Sequence, residues 1–152
     1  MKVTCKYCGI VDKPHHCPHK VKQDNQRKDK RIYRSALYKA AREMALDTYN
    51  CVDLWELYIN GWYQPATLTH HIVEVLDDPD KATDWMNLFP TSAENHADIH
   101  ELYKVYKDRV QDSLFCMCQD YRDGSREPGK YKRHIDDLTG VTAQKRLFIL
   151  NQ

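Results

Sequence analysis

At 152 residues the chain suits one modest domain with a small appendage and is too short for two full-sized ones. Charged residues make up 30% of it, and no stretch approaches the roughly 20 consecutive apolar residues of a membrane span, so no membrane contact is expected. The net charge of +1 hides an asymmetry: residues 1–42 carry twelve Lys/Arg against three Asp/Glu, residues 43–103 one against twelve, and residues 104–152 ten against seven. A basic N-terminal arm points to a polyanionic partner, while the acidic middle argues against a protein that simply coats nucleic acid.

The first segment, residues 1–20, opens with "MKVTCKYCGIVDKPHHCPH". It lacks the apolar run of about 7–15 residues of a secretory signal, so a cytosolic location is expected. Six cysteines in such a chain read as metal ligands or thiols rather than disulfides. Cys5-x2-Cys8 followed by His15-x-Cys17 forms a compact zinc-knuckle pattern, with His16 or His19 as alternative fourth ligands. So short a segment has too little apolar surface to fold without its metal, which makes this zinc structural. Residues 21–32 are a basic linker, which is either a solvated, disordered spacer or an anion-binding arm.

Residues 33–121 hold the main core. "YRSALYKAAREMALDTYN" places Leu37, Ala40, Ala41, Met44 and Ala45 at helical spacing. A shorter helix is expected to start at an Asp53–Glu56 capping box and stop before Gly61. "ATLTHHIVEV" (66–75) is the best strand and "MNLF" (86–89) a second, with a polar loop between them. After Pro90, Thr91 and Glu94 suggest another capping box, opening a long helix through Ile99, Leu102, Tyr106, Val110, Leu114 and Met117. "RDGSREPG" ends it, and residues 122–152 form a C-terminal extension with a strand or short helix. The fold class is therefore α+β, built around a strand–loop–strand–helix unit.

Two adjacent histidines in a strand face opposite ways, so His70 and His71 cannot share one role. His96 and His100, at i and i+4, lie on one helical face about 5–6 Å apart at Cβ, a spacing that suits two ligands of one metal. A hairpin that folds the helix back on the first strand would bring His70, His96 and His100 to one ion, with His71 facing away from it. Three imidazoles with open water positions describe a catalytic metal site rather than a closed structural one. Cys116 and Cys118, two apart on the long helix, read as buried thiols, and His134 as a surface residue.

The segments "HHIVEV", "MNLFPTS" and "NHADIH" resemble the HNH endonucleases, the ββα-metal nucleases. "NLFPTSAENHADIH" is similar to the colicin-type nuclease domains in its Asn-to-His and His-to-His spacings, and "GWYQPATLTHHIVEV" to phage-encoded HNH proteins. The resemblance spans roughly residues 33–105. It implies that His71 is the general base for the attacking water and that Asn87 fixes the loop and the orientation of His71. It also implies that His70, His96 and His100 hold one divalent ion, and that the products carry 5′-phosphate and 3′-hydroxyl ends. Nitrogen ligands favour Zn, Ni, Co or Mn over Mg at that site, and they must be neutral to bind, so metal is expected to leave below about pH 6. The family further implies a DNA substrate, a phage or prophage origin, activity in the cytoplasm of a bacterial host, and terminase or portal proteins as partners.

Basic residues on both flanks, Arg27, Lys28, Lys30, Arg31 and Arg34 before the core and Lys130, Lys132 and Arg133 after it, are the expected DNA contacts, with the acidic loop "DDPDKATD" turned away. The chain departs from phage HNH proteins where two CxxC pairs hold a structural zinc: Cys51 survives, but Leu54, Ser92 and Asn95 fill the other positions. The core is therefore expected to be held by packing of Trp55, Leu57, Trp62, Trp85 and the long helix. A rival reading, favoured by the acidic middle, is a non-catalytic adaptor on the same scaffold that binds DNA or a packaging protein.

Overall fold

The computed structural model describes residues 1–19 and 28–140, apart from the side chains of residues 28 and 29. Its elements mix helix with two small antiparallel sheets, in keeping with the α+β expectation. Strands β1 (Lys2–Cys5) and β2 (Gly9–Asp12) form the first hairpin, with Cys5 opposite Gly9. Gly9 takes a positive φ of 76°, the conformation that a tight turn asks of glycine.

Helix α1 (Lys28–Arg34) leads into α2 (Ala36–Thr48). Ser35 separates them because its hydroxyl caps α2, accepting from the Tyr38 amide at 3.1 Å. The face α2 buries is Tyr38, Ala41 and Ala45, continued by Tyr49. Leu37 and Met44, read from sequence as part of the apolar stripe, are 72% and 51% exposed. The stripe is set by tyrosines, which the hydrophobic pattern ranks below leucine and methionine.

Asp53 caps the next turn as expected, accepting from the Glu56 amide at 3.0 Å, but the turn that follows is a π-helix, Glu56–Asn60. Gly61 ends it with φ 83°. Its unused carbonyls are taken by the distant chain: the Gly129 amide donates to the Leu57 oxygen at 2.8 Å and the Tyr131 amide to the Tyr58 oxygen at 2.9 Å. These bonds seat helix α4 (Lys132–Thr139), whose buried residue is Ile135. The C-terminal extension therefore contains the short helix of the two forms expected; its residues 141–152 lie outside the described residues.

The second hairpin pairs β3 (Leu68–His71) with β4 (Leu88–Thr91), with His70 opposite Phe89 and His71 opposite Leu88. Both strands are shifted from the sequence expectation, β3 ending four residues early and Asn87 lying in a short 3-10 turn (Trp85–Asn87) just before β4. Helix α3 (Ala93–Arg122) starts one residue later than expected: Ser92 rather than Thr91 is the cap, accepting from the Asn95 amide at 3.3 Å. Thr91 is occupied elsewhere, its hydroxyl lying 3.4 Å from Asp53 Oδ1. The helix buries Ile99, Tyr103, Val110, Leu114, Met117 and Tyr121, and kinks at Tyr106, whose φ and ψ are −123° and 29°.

The core lies between α2, the π-helix, the second hairpin and α3, around Tyr49, Leu54, Leu57, Phe89 and Leu114. Trp55 and Leu57 are buried in the core and Trp85 packs against that core, but Trp62 is 73% exposed and contributes nothing to it. Packing is also not alone in holding the unit. The fully buried Asp53 carboxylate accepts from the Ser92 amide at 2.7 Å, Asn95 Nδ2 at 2.8 Å and Gln64 Nε2 at 3.1 Å, tying the start of α3 to the turn before the π-helix. Among the described residues no helix is long and apolar enough to cross a membrane.

A candidate metal centre in the hairpin–helix cleft

The three histidines singled out by spacing meet in space. His70 comes from β3, His96 and His100 from the first turns of α3, and their candidate ligand nitrogens all lie within 4.8 Å of one another. The Nε2 atoms of His96 and His100 are 3.2 Å apart, and the His70 ring lies 5.1 and 4.9 Å from theirs, centroid to centroid. Such a group could hold a metal ion.

Two observations fit these side chains to a cation. His70 is 2% exposed and its Nε2 has no hydrogen-bond partner; an unmet buried polar atom costs about 1–3 kcal/mol, which a bound cation would remove. Two of the rings, His70 and His96, are also biased toward the neutral form that can ligate. Burial, reinforced by the neighbouring His100 and His96, pushes His70 down to about 2, and burial likewise lowers His96. Glu74 stands behind the cluster, its Oε1 3.8 Å from His100 Nδ1, and is itself held by Lys107 Nζ at 2.5 Å. A carboxylate on the far nitrogen of a ligating histidine orients the ring.

His71 points elsewhere, as the alternation of the strand requires. Its Nε2 lies 2.9 Å from the Ala82 carbonyl oxygen. A carbonyl only accepts, so that nitrogen carries the proton and Nδ1 is the basic one. The ring stacks on Tyr38 at 5.5 Å and meets Tyr33 edge-on at 5.6 Å. Burial lowers its pKa and the Ala82 carbonyl partly offsets this.

Asn87 makes no side-chain hydrogen bond to the His71 ring. Its Oδ1 accepts from the Val73 amide at 2.8 Å, and its Nδ2 donates to the Val73 and Lys81 carbonyls at 3.0 and 3.2 Å. It thereby fastens the segment whose next residue, Ala82, holds His71. All four histidines line one open cleft of about 540 Å³ together with Tyr33, Glu74 and Asp77. Asp77 belongs to the loop expected to turn away from DNA; instead it lines the cleft and is paired with Lys107.

At the N-terminus Cys5, Cys8, His15 and Cys17 also bring their ligand atoms within 4.8 Å of one another, a second group that could hold a metal ion. The Sγ atoms of Cys8 and Cys17 lie 3.6 Å apart, near the roughly 3.8 Å between two sulfurs on a tetrahedral zinc. His15 Nε2 is buried without a partner, whereas His16 and His19 are exposed and outside the cluster. Backbone amides of Tyr7 and Cys8 lower the Cys5 thiol to about 6, and the neighbouring Cys17 raises Cys8 to about 11.

The basic flanks are unequal. Arg31 and Arg34 are exposed on α1, on either side of the cleft-lining Tyr33, and Lys30 is half-buried. Lys130, Lys132 and Arg133 instead pair with Asp120, Asp136 and Asp137. Arg27 and the side chain of Lys28 lie outside the described residues. Cys118 is a buried thiol as expected, Cys116 is exposed, and His134 is on the surface. The sequence reading missed Glu74, Lys107 and the Ala82 carbonyl because nothing in their local pattern marks them; Asp53 was visible only as a cap.

No protein-family model matches the chain, and no curated protein or solved structure matches it either.

Proposed function

We propose that the protein is a metal-dependent DNA endonuclease of the HNH type, with residues 66–110 as its ββα-metal unit. The observation that carries this reading is the division of labour among four histidines in one cleft: three converge, and the fourth is pinned through Nε2 so that Nδ1 is its basic nitrogen. A purely structural metal site has no use for such a neighbour.

In this reading His70, His96 and His100 hold one divalent ion, Zn, Ni, Co, Mn or Mg. When bound, that ion supplies positive charge to the scissile phosphate and its departing oxygen. His71 Nδ1 takes the proton of the attacking water as the water oxygen bonds to phosphorus and the phosphorus–3′-oxygen bond breaks; the departing oxygen takes a proton from solvent, which leaves 5′-phosphate and 3′-hydroxyl ends. Its depressed pKa keeps it unprotonated, hence able to act as a base, at neutral pH. Ala82 fixes the tautomer, Tyr38 fixes the ring plane, and Asn87 fastens the loop that carries Ala82. Arg31 and Arg34, exposed on α1, meet the DNA backbone. Cys5, Cys8, His15 and Cys17 hold a structural zinc that folds the N-terminal hairpin. A phage origin, a bacterial cytoplasmic setting and terminase or portal partners rest on the family resemblance alone.

The test is plasmid cleavage with a panel of divalent ions beside His71→Ala. The variant is expected to lose about 10²–10⁴-fold in rate, the usual worth of a general base, while the zinc affinity of the three-histidine centre is unchanged. The rival adaptor reading draws on Glu74 and Asp77, two carboxylates in the cleft lining. It takes over if wild type and variant are equally inert with every ion.

A further inference from the structure

Asp53 is fully buried, and its five partners are all neutral donors. Oδ1 accepts from the Glu56 amide and faces the Thr91 hydroxyl at 3.0 and 3.4 Å, while Oδ2 accepts from the Ser92 amide, Asn95 Nδ2 and Gln64 Nε2. A carboxylate is kept in such a place only if its lone pairs are met by fixed dipoles. Three of those donors, Thr91, Ser92 and Asn95, lie at the junction where β4 becomes α3. Asn95 is gripped twice, since its Nδ2 also donates to Glu56 Oε2 at 3.0 Å. The next residue is His96, and His100 follows one turn later on the same helix. The partner histidine, His70, is fixed separately, through its pairing opposite Phe89 of β4.

We propose that Asp53 is the positioning residue of the three-histidine centre: by clamping residues 91–95 onto the turn at residues 53–56, it sets the rotation and depth at which α3 presents His96 and His100 to His70. This rests on reading the three histidines as a metal centre. Asp53 touches neither the ligands nor a substrate, and it acts through the helix start alone. Replacing it with Asn sets an amide NH2 against a fixed backbone N–H whichever way the side chain is turned, that of Glu56 at Oδ1 or that of Ser92 at Oδ2, and this loosens the clamp.

The experiment is a zinc titration of the full chain, following the imidazole ring resonances of His70, His96 and His100 by NMR, with His15 reporting the N-terminal cluster. Affinity is measured by competition with a chelator. In wild type the three rings are expected to shift together. In Asp53→Asn and in the milder Asn95→Ala, affinity at this centre is expected to fall at least tenfold, with His70 no longer following His96 and His100, while the His15 response is unchanged. Leu114→Ala, a core truncation in α3, is the control for mere destabilisation: its melting temperature drops and its zinc affinity at the centre stays at the wild-type value. The proposal is overturned if folded Asp53→Asn and Asn95→Ala bind zinc at all three rings as wild type does. Should Asp53→Asn fail to fold, Asn95→Ala decides alone. If the three wild-type rings ignore zinc at every concentration, the metal reading itself fails before any substitution is made, and this proposal falls with it.

Discussion

His70 and His71 are neighbours with opposite constraints. His70 offers a buried nitrogen with nothing to bond, and His71 has one nitrogen committed to a carbonyl. The pH response of the folded chain follows from the first. Unfolded, His70 takes up a proton near its ordinary value of 6.5; folded, only near about 2. Between those limits the unfolded state binds more protons, so stability is present above pH 6.5 and is lost as pH falls below it. The slope from His70 alone is about 1.4 kcal/mol per pH unit. Urea unfolding of metal-free protein at about pH 7 and about pH 5.5 should show this loss, and His70→Gln should flatten it. Burial holds His70 neutral well below the range of free imidazoles and lowers His96 in the same direction. Glu74 is tested differently: removing it as Glu74→Ala leaves His100 without its orienting carboxylate, and zinc affinity at the centre should fall about tenfold or more. An unchanged affinity would assign Glu74 to the Lys107–Asp77 surface network alone.

At the scale of elements, the hairpin β3–β4 and helix α3 form the unit that matters, and what joins them is polar. Asn87 fastens the loop before β4, and Asp53 fastens the residues after it. The long helix supplies the apolar backing through Ile99, Tyr103 and Val110, while its first two turns carry the ligands. Hairpin β1–β2 is built differently. Its strands are short and mostly exposed, so in the proposed reading Cys5, Cys8, His15 and Cys17 on a zinc, rather than a core, hold it. Stripping metal with a chelator should therefore abolish amide protection in residues 2–12 and leave α3 protected, read by hydrogen exchange. Cys17→Ser should do the same without a chelator. Protection that survives both would mean the hairpin stands on its own.

At the scale of the molecule, charge is distributed by side. Arg31 and Arg34 are exposed on α1, the helix whose Tyr33 lines the cleft, while the C-terminal cations are engaged by local aspartates. DNA binding should weaken steeply with salt, and each of Arg31→Ala and Arg34→Ala should reduce the salt slope by about 1, whereas Lys132→Ala leaves it unchanged. Equal effects at both flanks would contradict the assignment.

Much of this was legible in the residues. The i, i+4 pair on α3, the strand histidines and the Cys-x2-Cys pattern all lie in short windows where helical and strand periodicity dictate direction. The same reasoning misjudged the outward Leu37, Met44 and Trp62, because burial is decided by what an element packs against and not by its own apolarity. It also took Asp53 for a simple helix cap. The meeting of His70 with His96 and His100, the carbonyl on His71 and four of the five donors on Asp53 each join residues from separate stretches of chain. Local pattern determined which side chains were available and which way they leave the backbone; only tertiary contact decided which of them converge, because distance along the chain carries no information about distance through it.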